Sequence, residues 1–259
     1  MPTVIDHPAI RAHVTALSEC NQRGGRMLSL VDLIDARTVD LDLAAYLAAA
    51  MRSGASLLVG ARPGGAGKTT VMCALLNFLP DRAVLCPVDG LAIPESAQRD
   101  ARPGDTCYLA HEVGSGHYYA YIWGERARAF FVLAAQGHLI ATNMHADTLL
   151  EAREQLCHQN GVAESHLHAV TLKVFLGFDR RSDRAAARWV SQVYESNGRG
   201  DSLIWRGESA SSFARTAPSV ITTPTQERKY GELLAGLLRR GIRRIDQVRL
   251  TLQGFDAAV

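Results

Sequence analysis

A glycine-rich segment holds the residues with the clearest chemistry in this chain of 259 residues. It reads Arg62-Pro63-Gly64-Gly65-Ala66-Gly67-Lys68-Thr69-Thr70. The backbone N–H groups of such a loop can approach phosphate oxygens closely, and the positive N-terminal end of a following helix adds to the attraction. We expect Lys68 to reach the β- and γ-phosphates of a nucleotide, and the Thr69 hydroxyl to bind Mg²⁺. The segment from Pro63 to Thr70 is therefore predicted to bind ATP together with Mg²⁺.

The surroundings of this loop fit the same interpretation, although one position departs from the usual pattern. Glycine is expected five residues before Gly67, where this chain has Arg62. The apolar run of residues 55–60 precedes the loop as a buried strand would, and residues 70–79 have a helical pattern that stops at Pro80. A glycine-rich turn without a ligand is the weaker interpretation. Arg62 is interpreted as an additional phosphate contact.

Two glutamates compete for the role of the carboxylate that positions an attacking water. Glu112 lies at the end of the apolar run 106–113, where it could polarise the water that attacks a γ-phosphate. The alternative is an ordinary exposed glutamate at the end of a strand. Glu125 follows Gly124 but leaves too short a helix before Gly137, so it ranks second.

Strand and helix patterns alternate around these residues. The strand candidates are residues 55–60, 83–88, 106–113, 138–144, 172–178 and 189–194, and helices are expected at 41–52, 70–79, around 130–134, from Thr148 onward and at 226–240. The alternation predicts an α/β fold, a RecA-like core with a mostly parallel sheet and helices on both faces. We expect a tail or linker at 1–27, the RecA-like domain at 28–208, a linker at 209–225 and a helical C-terminal extension at 226–259.

The composition argues against several classes of protein. The net charge of +2 gives no support to nucleic-acid binding. No run reaches the roughly 18 apolar residues that a membrane-spanning helix needs, and the N-terminus lacks the basic start and apolar stretch of a secretory signal. The five cysteines are odd in number and form no C-x-x-C pair, which favours neither a disulfide framework nor a cysteine zinc site. We therefore expect a cytoplasmic protein.

A second segment carries a family resemblance. Residues 137–147 read G-H-L-I-A-T-N-M-H-A-D and resemble the histidine box of the type II/type IV secretion and pilus motor ATPases, with His138 and His145 at the family's spacing. The stretch 28–60 is similar to the tight-adherence pilus and conjugation branch. Residues 102–112 resemble the approach to that family's Walker B glutamate, here Glu112. Pro87-Val88-Asp89 is similar to part of its aspartate box.

The resemblance implies an ATP-hydrolysing motor subunit that powers a pilus or secretion machine from the cytoplasmic face of the membrane. It also implies a hexameric ring, a platform protein of the inner membrane as partner, peripheral membrane contact and no direct contact with nucleic acid. His145 would sense the γ-phosphate and couple phosphate state to domain movement, with His138 as a second candidate. Asp89 would assist Mg²⁺ or the catalytic water, or would simply cap a turn.

Several departures from the family keep other functions open. The family's N-terminal domain, which contributes arginines to the nucleotide site, is not expected here. Leu85-Cys86 stands where an acidic pair is usual, and His111 replaces the glycine before Glu112. A nucleotide-binding regulator without appreciable turnover is one alternative. A P-loop phosphotransferase acting on a small molecule is another, although the histidine box argues against it.

Basic and metal-ligating residues outside these segments have weaker interpretations. Arg102 could act on the nucleotide of a neighbouring subunit. Five arginines are expected to form a basic cluster on a C-terminal helix, which is either a solvated face or a contact for a partner or an acidic lipid surface: Arg239, Arg240, Arg243, Arg244 and Arg249. His166 and His168, with Cys157-His158 nearby, lack a complete ligand set, so a metal site is not favoured there.

Overall fold

The computed structural model describes residues 7–20, 25–88, 102–116, 121–179 and 187–256. Its helices are α1 (Pro8–Glu19), α2 (Leu30–Asp35), α3 (Leu41–Arg52), α4 (Lys68–Leu76), α5 (Glu125–Ala135), α6 (Leu149–Arg153), α7 (Glu164–His168), α8 (Pro224–Arg239) and α9 (Ile245–Asp256). A π-helical turn, Glu154–Gln159, continues α6. The strands are β1 (Leu57–Gly60), β2 (Val84–Val88), β3 (Thr106–Val113), β4 (Tyr121–Ile122), β5 (Leu139–Met144), β6 (Leu172–Asp179), β7 (Ala187–Ser196), β8 (Asp201–Ser209) and β9 (Ser212–Arg215).

The strands of the described residues form one mixed sheet. Their order is β2-β3-β5-β1-β6-β7-β8-β9, and β4 pairs with the end of β3. The pairings from β2 to β6 are parallel, and β7, β8 and β9 extend the sheet in antiparallel fashion. The strand that precedes the glycine-rich loop therefore lies in the middle of the sheet, separated from the Glu112 strand by β5. The prediction of a RecA-like α/β core with a mostly parallel sheet is confirmed.

Apolar side chains of the central strands supply two cores, one on each face of the sheet. In β1, Leu57 and Val59 belong to the core that α3, α4 and α8 cover, whereas Leu58 belongs to the core beneath α5, the π-helical turn and α7. Because both faces are buried, β1 is apolar along its whole length, and β5 is apolar except at Thr142 and Asn143. The prediction of helices on both faces is confirmed.

Local capping explains where two of the helices start. The Asp40 carboxylate accepts a hydrogen bond from the Leu43 amide at 2.8 Å, so α3 begins at the predicted residue. Thr148 caps α6 by accepting from the Glu151 amide at 3.2 Å. The Glu151 carboxylate binds the amide of Asp147 instead of closing a capping box with Thr148.

Several elements fall where the sequence predicted none, among them α2, β4 and α7. α1 lies within the expected tail 1–27, and it buries Ile10, His13 and Leu17 against the neighbouring elements. β8 was not predicted, and β9 occupies part of the expected linker 209–225.

α8 packs along α3, and Gly231 lies so close that a Cβ there would be 3.4 Å from the Ala45 side chain. The division of the chain into domains stays a prediction.

Within the part of the chain that the structure describes, no helix is both long enough and apolar enough to cross a membrane.

Candidate functional site

The glycine-rich loop leaves the sheet at the carboxyl end of its central strand. Gly65 and Gly67 have φ values of +84° and +96°, a backbone region in which glycine is favoured, and α4 begins directly after them at Lys68. Just before the loop, a Cβ at Gly60 would be only 2.5 Å from the Ala146 carbonyl oxygen, so close packing requires glycine there as well. The loop therefore directs backbone N–H groups and a helix N-terminus to the same edge of the sheet.

Three side chains from distant parts of the chain meet beside this loop. Lys68 Nζ lies 3.6 Å from a carboxylate oxygen of Glu112, at the end of β3, and donates a hydrogen bond to the Ala61 carbonyl at 3.1 Å. His145, which follows β5, brings its Nε2 to 2.7 Å from the other Glu112 oxygen. Lys68 and Glu112 are buried, whereas the His145 side chain is 44% exposed. The structure thus brings together the three residues predicted to be catalytic.

The His145 ring lies between the loop and the Glu112 carboxylate. Its Nδ1 lies 2.8 Å from the Arg62 carbonyl oxygen and 3.4 Å from Lys68 Nζ. Its Nε2 is the atom that approaches Glu112. The ring therefore contacts the loop backbone, the ammonium and the carboxylate at once.

Asn143 is a site residue that the sequence analysis did not single out. Its Nδ2 donates to the His111 carbonyl at 2.9 Å and lies 3.4 Å from the Thr69 hydroxyl, the predicted Mg²⁺ ligand. The side chain is fully buried, and its Oδ1 has no hydrogen-bond partner among the residues that the structure describes. A polar residue among the apolar positions of β5 was the available signal, because a buried amide needs partners.

His111 precedes Glu112 on β3, in the position where the family has glycine. Its ring stacks on Tyr121 of β4, with 6.4 Å between centroids. Burial lowers the pKa of His111, and the nearby Lys68 ammonium lowers it further, although the Glu112 carboxylate acts in the opposite direction. A neutral imidazole therefore stands beside the carboxylate.

The Arg62 side chain contacts a carboxylate of α6. Its guanidinium pairs with Glu151 at 2.8 Å, and its amide donates to Asp147 at 2.7 Å. The Asp147 amide in turn donates to Glu151 at 2.8 Å. The Arg62 guanidinium thus has a carboxylate partner on α6 in this conformation, and its interpretation as an additional phosphate contact stays a prediction.

The competing candidates Glu125 and His138 lie apart from the loop. Glu125 is the exposed first residue of α5, a helix of 11 residues, so the expectation of too short a helix is wrong. His138 precedes β5 and His145 follows it, so the strand places them at opposite edges of the sheet, roughly 20 Å apart. His138 is buried, with its ring edge-on to Tyr108 at 5.5 Å.

The remaining candidates do not join the three residues beside the loop. Asp89 lies outside the described residues. Arg102 immediately precedes the turn into β3, at the edge of the sheet opposite to Glu112. His168 lies 3.1 Å from Asp201. Among the described residues, no three histidine, cysteine or carboxylate side chains form a metal-binding group.

The five C-terminal arginines do not form one cluster on one helix. Arg239 ends α8 and Arg249 belongs to α9. Arg249 is buried and donates to the Asn77 carbonyl at 2.9 Å, and Arg243 pairs with Asp35. The expectation of a single basic helix face is therefore wrong, because tertiary contacts use these arginines separately.

The residues of the loop fit ATP and Mg²⁺. A Cβ added at Gly64 would meet no atom within 4 Å, which shows open space at the loop. The Thr69 hydroxyl and the Glu112 carboxylate supply the oxygen atoms that Mg²⁺ and its bound waters prefer. Lys68 supplies a positive charge next to them.

Comparison with known proteins gave a match only among solved structures. No protein-family model matches the chain, and no curated protein matches it significantly. Among the structures that match is the X-ray structure of the Legionella pneumophila ATPase DotB, with 11% sequence identity and a TM-score of 0.40. The match covers 75% of this chain and 55% of the DotB chain, so it spans little more than half of that ATPase.

Proposed function

We propose that this chain is a Mg²⁺-dependent ATP-binding and ATP-hydrolysing motor subunit of a pilus or secretion machine of the type II/type IV superfamily. The observation that carries the proposal is the meeting of Lys68, Glu112 and His145 at the glycine-rich loop. Catalysis of phosphoryl transfer consists largely of positioning and charge stabilisation, and this constellation offers a cation, a carboxylate and a titratable ring for that purpose.

Each of these residues has a distinct role in the proposal. Lys68 exchanges the Ala61 carbonyl for phosphate oxygens, and the loop amides bind the same phosphates. The Thr69 hydroxyl would hold Mg²⁺, which would neutralise charge on the bound phosphates. Glu112 accepts a hydrogen bond from the attacking water and orients it toward the γ-phosphate. His145 responds to the γ-phosphate through its contacts with Glu112 and the Arg62 carbonyl.

The wider assembly is also part of the proposal. We infer a homo-oligomeric, hexameric ring at the cytoplasmic face of the membrane, in contact with a membrane platform protein. Arg102, on the opposite edge of the sheet from the loop, is a candidate for contact with the nucleotide of a neighbouring subunit. The support for this part is the sequence resemblance of residues 28–60, 87–89, 102–112 and 137–147.

The test is steady-state phosphate release from ATP with Mg²⁺ at low and high protein concentration. Lys68→Ala and Glu112→Gln should abolish release, whereas Glu125→Gln, the same change at the competing glutamate, should leave it at the wild-type rate. Specific activity that rises with protein concentration would support the oligomer. Wild-type release no faster than that of Lys68→Ala would exclude hydrolysis by this chain.

A nucleotide-binding regulator without turnover is the second candidate. The observation in its favour is that Lys68 already contacts the Ala61 carbonyl, Glu112 and His145, which holds the site closed on itself. ATP binding with no phosphate release, at any protein concentration, would select this candidate over the motor.

A further inference from the structure

Arg188 contacts the glycine-rich loop from β7, which lies on the side of β1 opposite to β5 and β3. It lies near the start of β7, which is antiparallel to β6, so the beginning of β7 lies at the same sheet edge as the loop. Arg188 Nε donates a hydrogen bond to the Gly65 carbonyl at 3.0 Å. Its Cδ would be 3.7 Å from a Cβ at Gly67, so the side chain lies along the loop.

The strand pair β6–β7 fixes the position of this side chain. Arg188 is the register partner of Phe178, and its guanidinium carbon lies 5.3 Å from the centroid of the Phe178 ring. A cation over an aromatic face is held by the ring quadrupole as well as by hydrogen bonding. The guanidinium is therefore positioned between a strand-anchored ring and the loop.

The hydrogen bond from Arg188 to the Gly65 carbonyl restrains the backbone conformation in which the loop would bind phosphate. Phosphate binding requires the N–H groups of the loop to point inward, which turns carbonyl oxygens such as that of Gly65 outward. Gly65 and Gly67 have few steric restraints of their own, because glycine adopts both signs of φ readily. A charged donor on the outward carbonyl reduces that freedom without occupying the inner side of the loop.

We propose that Arg188 is a positioning residue of the nucleotide site, which holds the phosphate-binding loop through Gly65 and adds positive charge beside the bound phosphates from within the same chain. The inference rests on the proposed function. A guanidinium remains protonated throughout the physiological pH range, so this charge is constant. The effect of Arg188 on affinity increases with the number of phosphates on the nucleotide.

The experiment measures equilibrium binding of fluorescent ATP, ADP and AMP analogues to the wild-type chain, Arg188→Met and Arg188→Lys. Arg188→Met keeps the apolar stem and removes the charge. We expect it to weaken ATP binding by about tenfold and ADP binding by less, because a hydrogen bond to a charged group and the local charge are lost together. Arg188→Lys should recover most of the ATP affinity. Raising the salt concentration from about 0.05 M to about 0.5 M should reduce the difference in ATP affinity between Arg188→Met and wild type, because salt screens the charge.

Arg199→Met is the matched control. Arg199 is exposed in the turn between β7 and β8, at the opposite end of β7, so its loss changes the net charge equally without touching the loop. It should bind all three analogues as the wild type does. Unchanged ATP affinity in Arg188→Met, or an equal loss for ATP and AMP that follows a lowered melting temperature, overturns the inference. Failure of the wild-type chain to bind any analogue overturns the proposed function instead.

Discussion

Two groups of side chains in this protein contain a lysine, a carboxylate and a histidine, yet they differ in the lysine–carboxylate distance and in the exposure of the histidine. The edge triad consists of Lys68, Glu112 and His145, and the inner triad consists of Lys173, Asp201 and His168. In the inner triad, Lys173 Nζ lies 2.6 Å from Asp201, and His168 Nδ1 lies 3.1 Å from the other carboxylate oxygen. In the edge triad, the ammonium and the carboxylate are 3.6 Å apart, and the histidine Nε2 lies 2.7 Å from the carboxylate.

The exposure of the histidine also differs between the two triads. Lys173 is fully buried, and the His168 side chain is 12% exposed. The His145 side chain is 44% exposed beside a loop of glycines. Lys173 also donates a hydrogen bond to the Val170 carbonyl at 2.7 Å, so its buried ammonium has two partners at short distances. An enclosed lysine with a short ion pair is a structural support, whereas a lysine with a long ion pair beside an exposed histidine and open space can exchange its partners for a ligand.

The largest expected effect is on turnover in the edge triad. Glu112→Gln should lower phosphate release by about 10²–10⁴, because an amide accepts the proton of water poorly. The unfolding free energy should fall by less in Glu112→Gln than in Asp201→Asn, because Lys68 still donates a hydrogen bond to the Ala61 carbonyl. Phosphate release and urea unfolding measure the two quantities. A Glu112→Gln protein that unfolds readily but turns over normally per folded molecule would reverse the assignment of the two triads.

The same neutralisation in the inner triad should act on stability. Asp201→Asn leaves the buried Lys173 ammonium without its counter-charge, which should lower the unfolding free energy by about 3–5 kcal/mol. Nucleotide affinity per folded molecule should not change. Denaturant unfolding with and without nucleotide measures both. A stable Asp201→Asn protein with impaired nucleotide binding would show that the inner triad communicates with the site.

The inner triad should also give the protein an alkaline pH dependence. Burial lowers the pKa of Lys173, although the adjacent Asp201 partly offsets this. The folded state therefore releases this proton at a lower pH than the unfolded state, so between the two pKa values the unfolded chain binds more protons. The stability of the wild type relative to Lys173→Met should rise with pH through that window, up to about 10.5. Urea unfolding at several pH values measures it, and a constant difference would contradict it.

The smallest expected effect is at the exposed rim of the loop. The Arg62 guanidinium is 62% exposed and pairs only with Glu151 among the contacts described. Arg62→Ala should change the unfolding free energy by less than about 1 kcal/mol, because exposed ion pairs contribute little. Phosphate release should stay within a few-fold of wild type, since the backbone contacts to Asp147 and His145 remain. A loss comparable to that of Lys68→Ala would support Arg62 as a phosphate contact.

The helices that the sequence analysis missed show what local patterns omit. α1 has no side-chain cap at His7, and its buried residues Ile10, His13 and Leu17 include a histidine that looks polar in a linear reading. Burial lowers the pKa of His13 to about 3, so it is a neutral packing residue. The spacing of Ile10 and Leu17 was a usable helical signal, but nothing in the sequence showed which surface would cover it.

The sequence by itself determined the glycine-rich loop, the strand before it, the cap of α3 at Asp40 and the position of Glu112 at the end of a strand. These depend on local chemistry: positive φ at glycine, side-chain capping and continuous apolar runs. Only the tertiary structure decided that Asn143 lies beside Thr69, that Arg188 reaches Gly65, and that His145 rather than His138 meets Glu112. Those contacts depend on strand order and direction, because the side chains come together only where the carboxyl ends of β1, β3, β5 and β6 share one edge of the sheet.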